Sequence, residues 1–351
     1  MFESLGFDSA SAQQVSVWFA LALGVMFGVT AAVTKFCFRR ALVGEDRREA
    51  RGVWGLALAV AVLGTQLAVA LGLIDFAGHR YSTAELPILA IAVGGLLFGA
   101  GMVLTRGCVS RLAVLTGAGN LRALLVLVVF AIAAHATLKG VLSPLRTGLA
   151  NVTWSVGEYG SLAALPGGAI VWSLVIVAIA LAFVLRSGNP VSRLVFAALL
   201  GLTVPIGWVG TGYVLLDEFD PITLESLSFI APMTEGLFWV VASTAVPAGF
   251  GTGLIGGVLV GGLLAALLTR SFVWQSFESP NQTARYITGG VMMGFGGVLA
   301  GGCTIGAGLG GIPTLGLAAV LALIFIGIGG LVMDRMLRAK GVTRLNAQPA
   351  E

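Results

Sequence analysis

Long apolar runs alternate with short charged stretches along the whole chain. Residues 15–36, 53–74, 86–105, 122–142, 162–186, 193–216, 254–269, 287–302 and 313–333 are such runs. Most approach the length needed to cross about 30 Å of hydrocarbon. Arg39, Arg40, Arg47, Arg48 and Arg51 follow the first run and outnumber Glu45, Asp46 and Glu49. Arg186 and Arg193 bracket a second basic connection, and Arg335, Arg338, Lys340 and Arg344 follow the last run. The intervening connections lean acidic, at 75–85 and at Asp217, Glu218, Asp220 and Glu225. The positive-inside rule then predicts nine spans, an outer N-terminus and a cytoplasmic C-terminus.

The expected fold is therefore an all-α polytopic membrane protein. Residues 234–248 are short and broken by Pro247, Gly249, Gly251 and Gly253, which predicts a re-entrant piece. The expected organisation is an outer segment 1–14, a first membrane half 15–161, a second half 162–335 and a cytoplasmic tail 336–351.

Composition strengthens this picture. Hydrophobic residues make up 57% and charged residues 10% of the chain, against about a quarter charged in soluble domains. A net charge of +4 describes loop ends, and no basic-aromatic tract points to nucleic acid. Met1 to Gln14 lacks the cationic opening and small-residue cleavage site of a signal peptide, so the first run is expected to remain as a span. The 3 cysteines show no Cys-x-x-Cys or Cys/His spacing. Neither a disulfide framework, nor a metal, nor any other cofactor is expected.

A repeat changes the reading of those cysteines. Residues 94–108, Gly-Gly-Leu-Leu-Phe-Gly-Ala-Gly-Met-Val-Leu-Thr-Arg-Gly-Cys, match residues 289–303 at eight of fifteen positions. The spacing Gly-x3-Gly-x8-Cys fits Gly24, Gly28 and Cys37, then Gly95, Gly99 and Cys108, then Gly290, Gly294 and Cys303. All the cysteines thus share one slot of one repeated element. Gly257 and Gly261 repeat the glycine spacing, with Arg270 where cysteine would stand. On the predicted topology, 94–108 runs inward and 289–303 outward, as an inverted repeat requires.

Glycines at four-residue spacing have two readings. They let helix backbones touch, or they free amide N–H groups for an anion. Gly107, Gly301 and Gly302, beside cysteines, favour the second. Lys35 and Arg106, each two residues before a cysteine, are either inner-boundary anchors or positive charge offered to an anionic solute. His135, inside an apolar run, reads as a packed core residue, and Lys139 as a snorkelling one. A catalytic thiol would need a base or a resolving partner, and neither histidine, His79 or His135, is near a cysteine in sequence. Neutral thiols, free amides and positive charge at the ends of the path suit a soft, sulfur-bearing anion. Weak donors hold such a solute without stalling its passage.

The run from Gly94 to Arg111, the Lys-Phe-Cys-Phe around Cys37 and Ala-Gly-Gly-Cys-Thr-Ile-Gly-Ala-Gly-Leu around Cys303 resemble the YeeE/YedE sulfur-transport family, in particular its thiosulfate-uptake members. The resemblance spans roughly residues 18–335. It implies a non-enzymatic, hourglass-shaped inner-membrane protein with nine spans, short re-entrant helices and two inverted pseudo-symmetric halves. It also implies that thiosulfate passes by transient S–H···S contacts along Cys37, Cys108 and Cys303. Lys35, Arg106, Gly107, Gly301, Gly302, Thr304 and Arg270 are then candidate substrate-binding residues. The family's usual partner is a TusA-like sulfur-carrier protein on the cytoplasmic side. Carriage of another sulfur or selenium species is the alternative, and a membrane thiol sulfurtransferase a more distant one.

Overall fold

The serine-glutamine pair at the start of the first apolar run shows how this chain begins a helix. Ser11 Oγ accepts from Gln14 N, and the Gln14 side chain accepts from Ser11 N, a reciprocal cap that satisfies two otherwise free amides. The structure, a computed structural model, describes residues 11–217 and 221–339. Glu218, Asp220, Lys340, Arg344 and most of the expected terminal segments lie outside the described residues.

Thirteen α-helices occur in order among the described residues. They are α1 (Ala12–Thr34), α2 (Phe38–Val43), α3 (Arg47–Ala70), α4 (Ile88–Leu104), α5 (Val109–Gly117), α6 (Leu121–Leu138) and α7 (Ser143–Ala150). After these come α8 (Gly168–Leu185), α9 (Val191–Val209), α10 (Ala231–Ala242), α11 (Phe250–Leu268), α12 (Pro280–Leu299) and α13 (Leu317–Ala339). π-helical segments extend α9 over Gly210–Val214 and succeed α12 over Thr304–Gly311. Two-residue strands, β1 (Glu85–Leu86) and β2 (Trp154–Ser155), pair antiparallel and tie two connections together. Among the described residues nine helical stretches are long and apolar enough to cross a membrane. The protein is an all-α, multi-pass membrane protein.

Close backbone contact sets the helix pairs. Gly253 lies on Val17, Gly257 on Leu21 and Gly24, and Gly261 on Val25 and Gly28. Residue numbers rise together, so α1 and α11 run parallel. A Cβ at Gly28 would sit 2.6 Å from the Val258 carbonyl oxygen, closer than any side chain tolerates. The packing reading therefore holds for Gly24 and Gly28. In the second contact Gly94 meets Gly296 and Ala300 while Gly101 meets Gly289, so α4 and α12 run antiparallel. Gly95 and Gly99 press α4 against Ala322 and Ile326 of α13, and Gly294 presses α12 against Phe130 of α6. In lipid, such van der Waals contact replaces the hydrophobic drive that water supplies to soluble bundles. The side chains of α8, including Ile170, Leu174, Ile179 and Phe183, are left outward-facing.

Two expectations are corrected here. The stretch 234–248 overlaps the short helix α10, but Gly251 and Gly253 interrupt no helix. They lie inside α11, which begins at Phe250, because Gly251 packs on Pro232 and Gly253 on Val17. The run near 287 also begins earlier, at Pro280, where Ser279 Oγ accepts from Gln282 N as a cap.

Candidate functional site

Among the described residues six helices stop in the same way, α3 on Gly72 and α5 on Gly119 among them, and the other four carry the repeated glycine spacing. After α1, Lys35 takes φ 51°, with Lys35 N bonded to Ala32 O and Phe36 N to Ala31 O. After α4, Arg106 takes φ 61°, with Arg106 N to Val103 O and Gly107 N to Met102 O. Gly301, at φ 72°, repeats this after α12, and Arg270, at φ 53°, repeats it after α11. A left-handed residue closing these two bonds satisfies carbonyls that a helix end otherwise leaves free. A lysine or arginine there also lies at the negative end of the helix dipole. Arg40 Nη1 caps α1 further by donating to Thr34 O and Lys35 O, each at 3.2 Å.

This ending sets the cysteines. Two residues past each left-handed turn, Cys37 and Cys108 become the N-caps of α2 and α5, and Cys303 heads the π-helical segment 304–311. The fourth copy is displaced in register. Arg270 matches Lys35, Arg106 and Gly301, while Phe272 occupies the place of the cysteine. The sequence spacing missed this because α11 runs two residues further past its second glycine, Gly261, than the other copies do before the left-handed turn at Arg270. The Arg270 side chain is exposed.

All the cysteines are buried free thiols. Cys37 Sγ lies 3.8 Å from Cys108 Sγ, and Cys108 Sγ lies 3.3 Å from Ser110 Oγ. A disulfide would require about 2.05 Å, so the pair is a weak S–H···S contact. Thr105 Oγ1 donates to Gly107 O at 3.0 Å and steadies the turn before Cys108. Cys303 stands in a separate setting, its sulfur accepting from Gly306 N at 3.2 Å. Trp54 lies between the two settings. Its ring stacks on Phe36 at 6.3 Å with a 7° interplanar angle, and Gly308 packs on its other edge. Its buried Nε1 has no hydrogen-bond partner among the described residues.

A cavity of about 420 Å³ opens beside Cys303. Gly306 is part of its lining, together with His79, Arg80, Tyr81, Trp208 and Glu225. A Cβ at Gly306 would lie 3.1 Å from Ser228 Oγ and 3.7 Å from Cys303 Sγ, which measures how close the lining comes to the thiol. Tyr81 Oη donates to Gly306 O at 2.9 Å and reaches Gly301 O at 3.3 Å, holding the cysteine loop from the cavity side. Burial, reinforced by Arg80, lowers the His79 pKa to about 4. Burial and the neighbouring Glu235 push Glu225 up to about 7, against the opposing pull of Arg80.

The opposite end is basic. Asn189 Nδ2 donates to Glu49 O, and Arg193 Nη1 meets Glu49 Oε2 at 2.5 Å, which joins the 39–51 and 186–193 connections. Leu331, Asp334, Arg335 and Arg338 of α13 share a cavity there with Leu42, Val43 and Arg47. Arg111 lies within electrostatic range of Cys37 and Cys108, and Arg285 of Arg39 and Arg106. Buried Nε atoms of Arg39 and Arg285 have no hydrogen-bond partner among the described residues.

The expected site residues thus fall into distinct groups. Cys37 and Cys108 come together, with Arg106 and Gly107 in the turn between α4 and Cys108. Gly301, Gly302 and Thr304 surround Cys303, with Gly302 and Thr304 buried. Lys35 is exposed at the end of α1. His135 packs its ring 3.9 Å from that of Phe238, in keeping with a core role. Arg80, Tyr81, Trp208, Ser228, Trp54 and Arg285 were not singled out from sequence. The available signal was Arg80, a cation in a connection otherwise read as acidic.

Irregular backbone, with thiols at three of the breaks, lies buried in a bundle of membrane-length helices, the setting in which such backbone is tolerated at membrane depth. The family described as Sulphur transport matches residues 26–332, and the chain belongs to it. It is 25% identical over 348 residues to the "Thiosulfate transporter TsuA" of Spirochaeta thermophila, covering 90% of this chain and 98% of that protein. It is 26% identical over 315 residues to the "Thiosulfate transporter TsuA" of Escherichia coli, covering 82% of this chain and 85% of that one.

Proposed function

We propose that the protein takes up thiosulfate across the bacterial inner membrane, entering at the cavity beside Cys303 and leaving past Cys37 and Cys108. The observation that carries this reading is the placement of the thiols. One lies buried just behind the Gly306 lining of an open cavity, and two touch at 3.8 Å toward the arginine-rich end. Thiosulfate pairs a soft terminal sulfur with a hard oxyanion head. A neutral thiol offers the soft end a weak donor that binds and releases readily. Arg39, Arg111 and Arg285 then attract the anion toward the exit. The positive-inside rule places that end in the cytoplasm and the cavity outside. A TusA-like sulfur carrier is the expected recipient there. The test is growth on thiosulfate as sole sulfur source, in a host stripped of its own sulfate and thiosulfate uptake systems. Expression of the protein should restore growth. Continued failure at confirmed membrane abundance would sink the reading, and rescue by another sulfur or selenium species alone would reassign the substrate.

A further inference from the structure

The outer flank of α3 and α8 has a basic groove away from the thiols. Arg47 and Arg51 share one face at the start of α3, four residues apart, with Arg48 beside them. Arg48 Nε donates to Arg186 O, which ties the start of α3 to the end of α8. Arg51 Nε donates to Ala41 O at 2.9 Å. A groove of about 530 Å³ opens at this join, lined by all four arginines together with Ile179 and Phe183 of α8. No carboxylate lines it. Asp46 and Glu49, the acidic residues nearest in sequence, are engaged by Arg40 and Arg193. Among the described residues none of the four arginines forms an ion pair, and the side chains of Arg47 and Arg186 have no hydrogen-bond partner.

The apolar side of the groove points to the kind of anion it takes. Ile179, Phe183 and Arg186 follow at i, i+4 and i+7, which makes one stripe down α8. Ile179 is 56% and Phe183 46% exposed, on the face that α8 leaves without a protein neighbour. Ile179 stands about 10 Å along the helix from Arg186. We propose that this groove binds an anionic phospholipid of the leaflet at the basic end, the arginines holding the phosphate and the stripe below them an acyl chain. Guanidinium forks match phosphate oxygens, and basic pockets between spans at the cytoplasmic side suit such head groups. A water-soluble anion would have no use for the stripe. A second copy docked here by a two-fold contact would set the arginine cluster against itself.

The test titrates the purified full chain in mild detergent with dioleoyl-phosphatidylglycerol or dioleoyl-phosphatidylcholine, and counts bound lipid by native mass spectrometry. Wild type should bind the phosphatidylglycerol about tenfold or more tightly than the phosphatidylcholine. Arg47→Gln/Arg186→Gln changes two exposed side chains that brace nothing. It should weaken phosphatidylglycerol about twentyfold, near fivefold for each arginine, and leave phosphatidylcholine unchanged. Arg47→Lys/Arg186→Lys should keep most of the preference, and Phe183→Ser should weaken both lipids. Glycerol 3-phosphate, the charged head without acyl chains, should fail to displace the lipid at equal concentration. Equal affinities in wild type, or an unchanged preference in the glutamine variant, would overturn the site. Displacement by glycerol 3-phosphate would make it a site for free phosphate instead. Loss of a dimer in the glutamine variant, with lipid binding unchanged, would give the face to a second copy. Thiosulfate uptake stands or falls separately from all of these results.

Discussion

Taken singly, each cysteine reads as a small buried hydrophobe, and Cys37, Cys108 and Cys303 are indeed buried free thiols. Their shared slot was legible because it repeats in sequence. Their grouping was not. That Cys37 meets Cys108 depends on two separate helix turns converging, and no spacing encodes it. Arg80 and Trp208 were illegible for a related reason, since one belongs to the connection after α3 and the other to α9. Glu225 carries a prediction at this scale. Its carboxyl titrates at about 7, and Asp75, His79 and Arg80 line the same cavity from the 75–81 connection. Glu235 faces it from α10, while Gln13, Ser16 and Thr211 approach it uncharged. Below pH 7 Glu225 is mostly neutral and Arg80 attracts a dianion unopposed, whereas above pH 7 the carboxylate repels that dianion. The half-saturating thiosulfate concentration should therefore be roughly threefold or more lower at pH 6 than at pH 8. Glu225→Gln should flatten that dependence, and a wild-type profile that is already flat would refute it.

At the scale of elements, the apolar runs marked the spans and the glycine spacing marked the contacts between them. Both signals are local. The helices that begin after the breaks, α2, α5 and the π segment 304–311, were not legible as separate pieces, because at 6, 9 and 8 residues they are too short to show a helical period. Packing likewise overrode propensity in α11, where Gly251 and Gly253 stay helical because neighbouring backbone occupies the space of their missing side chains. Direction is the property that gives these elements meaning for transport. The parallel pair α1 and α11 and the antiparallel pair α4 and α12 agree with the alternating nine-span count, and loop charge assigns the ends. With all native cysteines replaced, Asn151→Cys should react with an impermeant maleimide added to intact cells stripped of their outer membrane, and Arg47→Cys should react only after permeabilisation. The reverse pattern would invert the proposed orientation.

Across the whole molecule, cavity and arginines lie at opposite ends of a bundle whose interior backbone is broken at each thiol. Lys35, Arg106 and Arg270 end helices that run toward the basic end, while α12 runs the other way and ends on Gly301. Charged turns thus stand at the basic end, and an uncharged turn stands beside the cavity next to Cys303. The central claim is that the thiols themselves form the path. It is tested most directly by the initial rate of labelled thiosulfate uptake through Cys303→Ala and Cys108→Ala, in proteoliposomes holding equal amounts of monodisperse protein. Both variants should lose nearly all uptake, with the corresponding serine variants retaining a fraction because a small donor remains. Wild-type rates in both alanine variants would contradict the account.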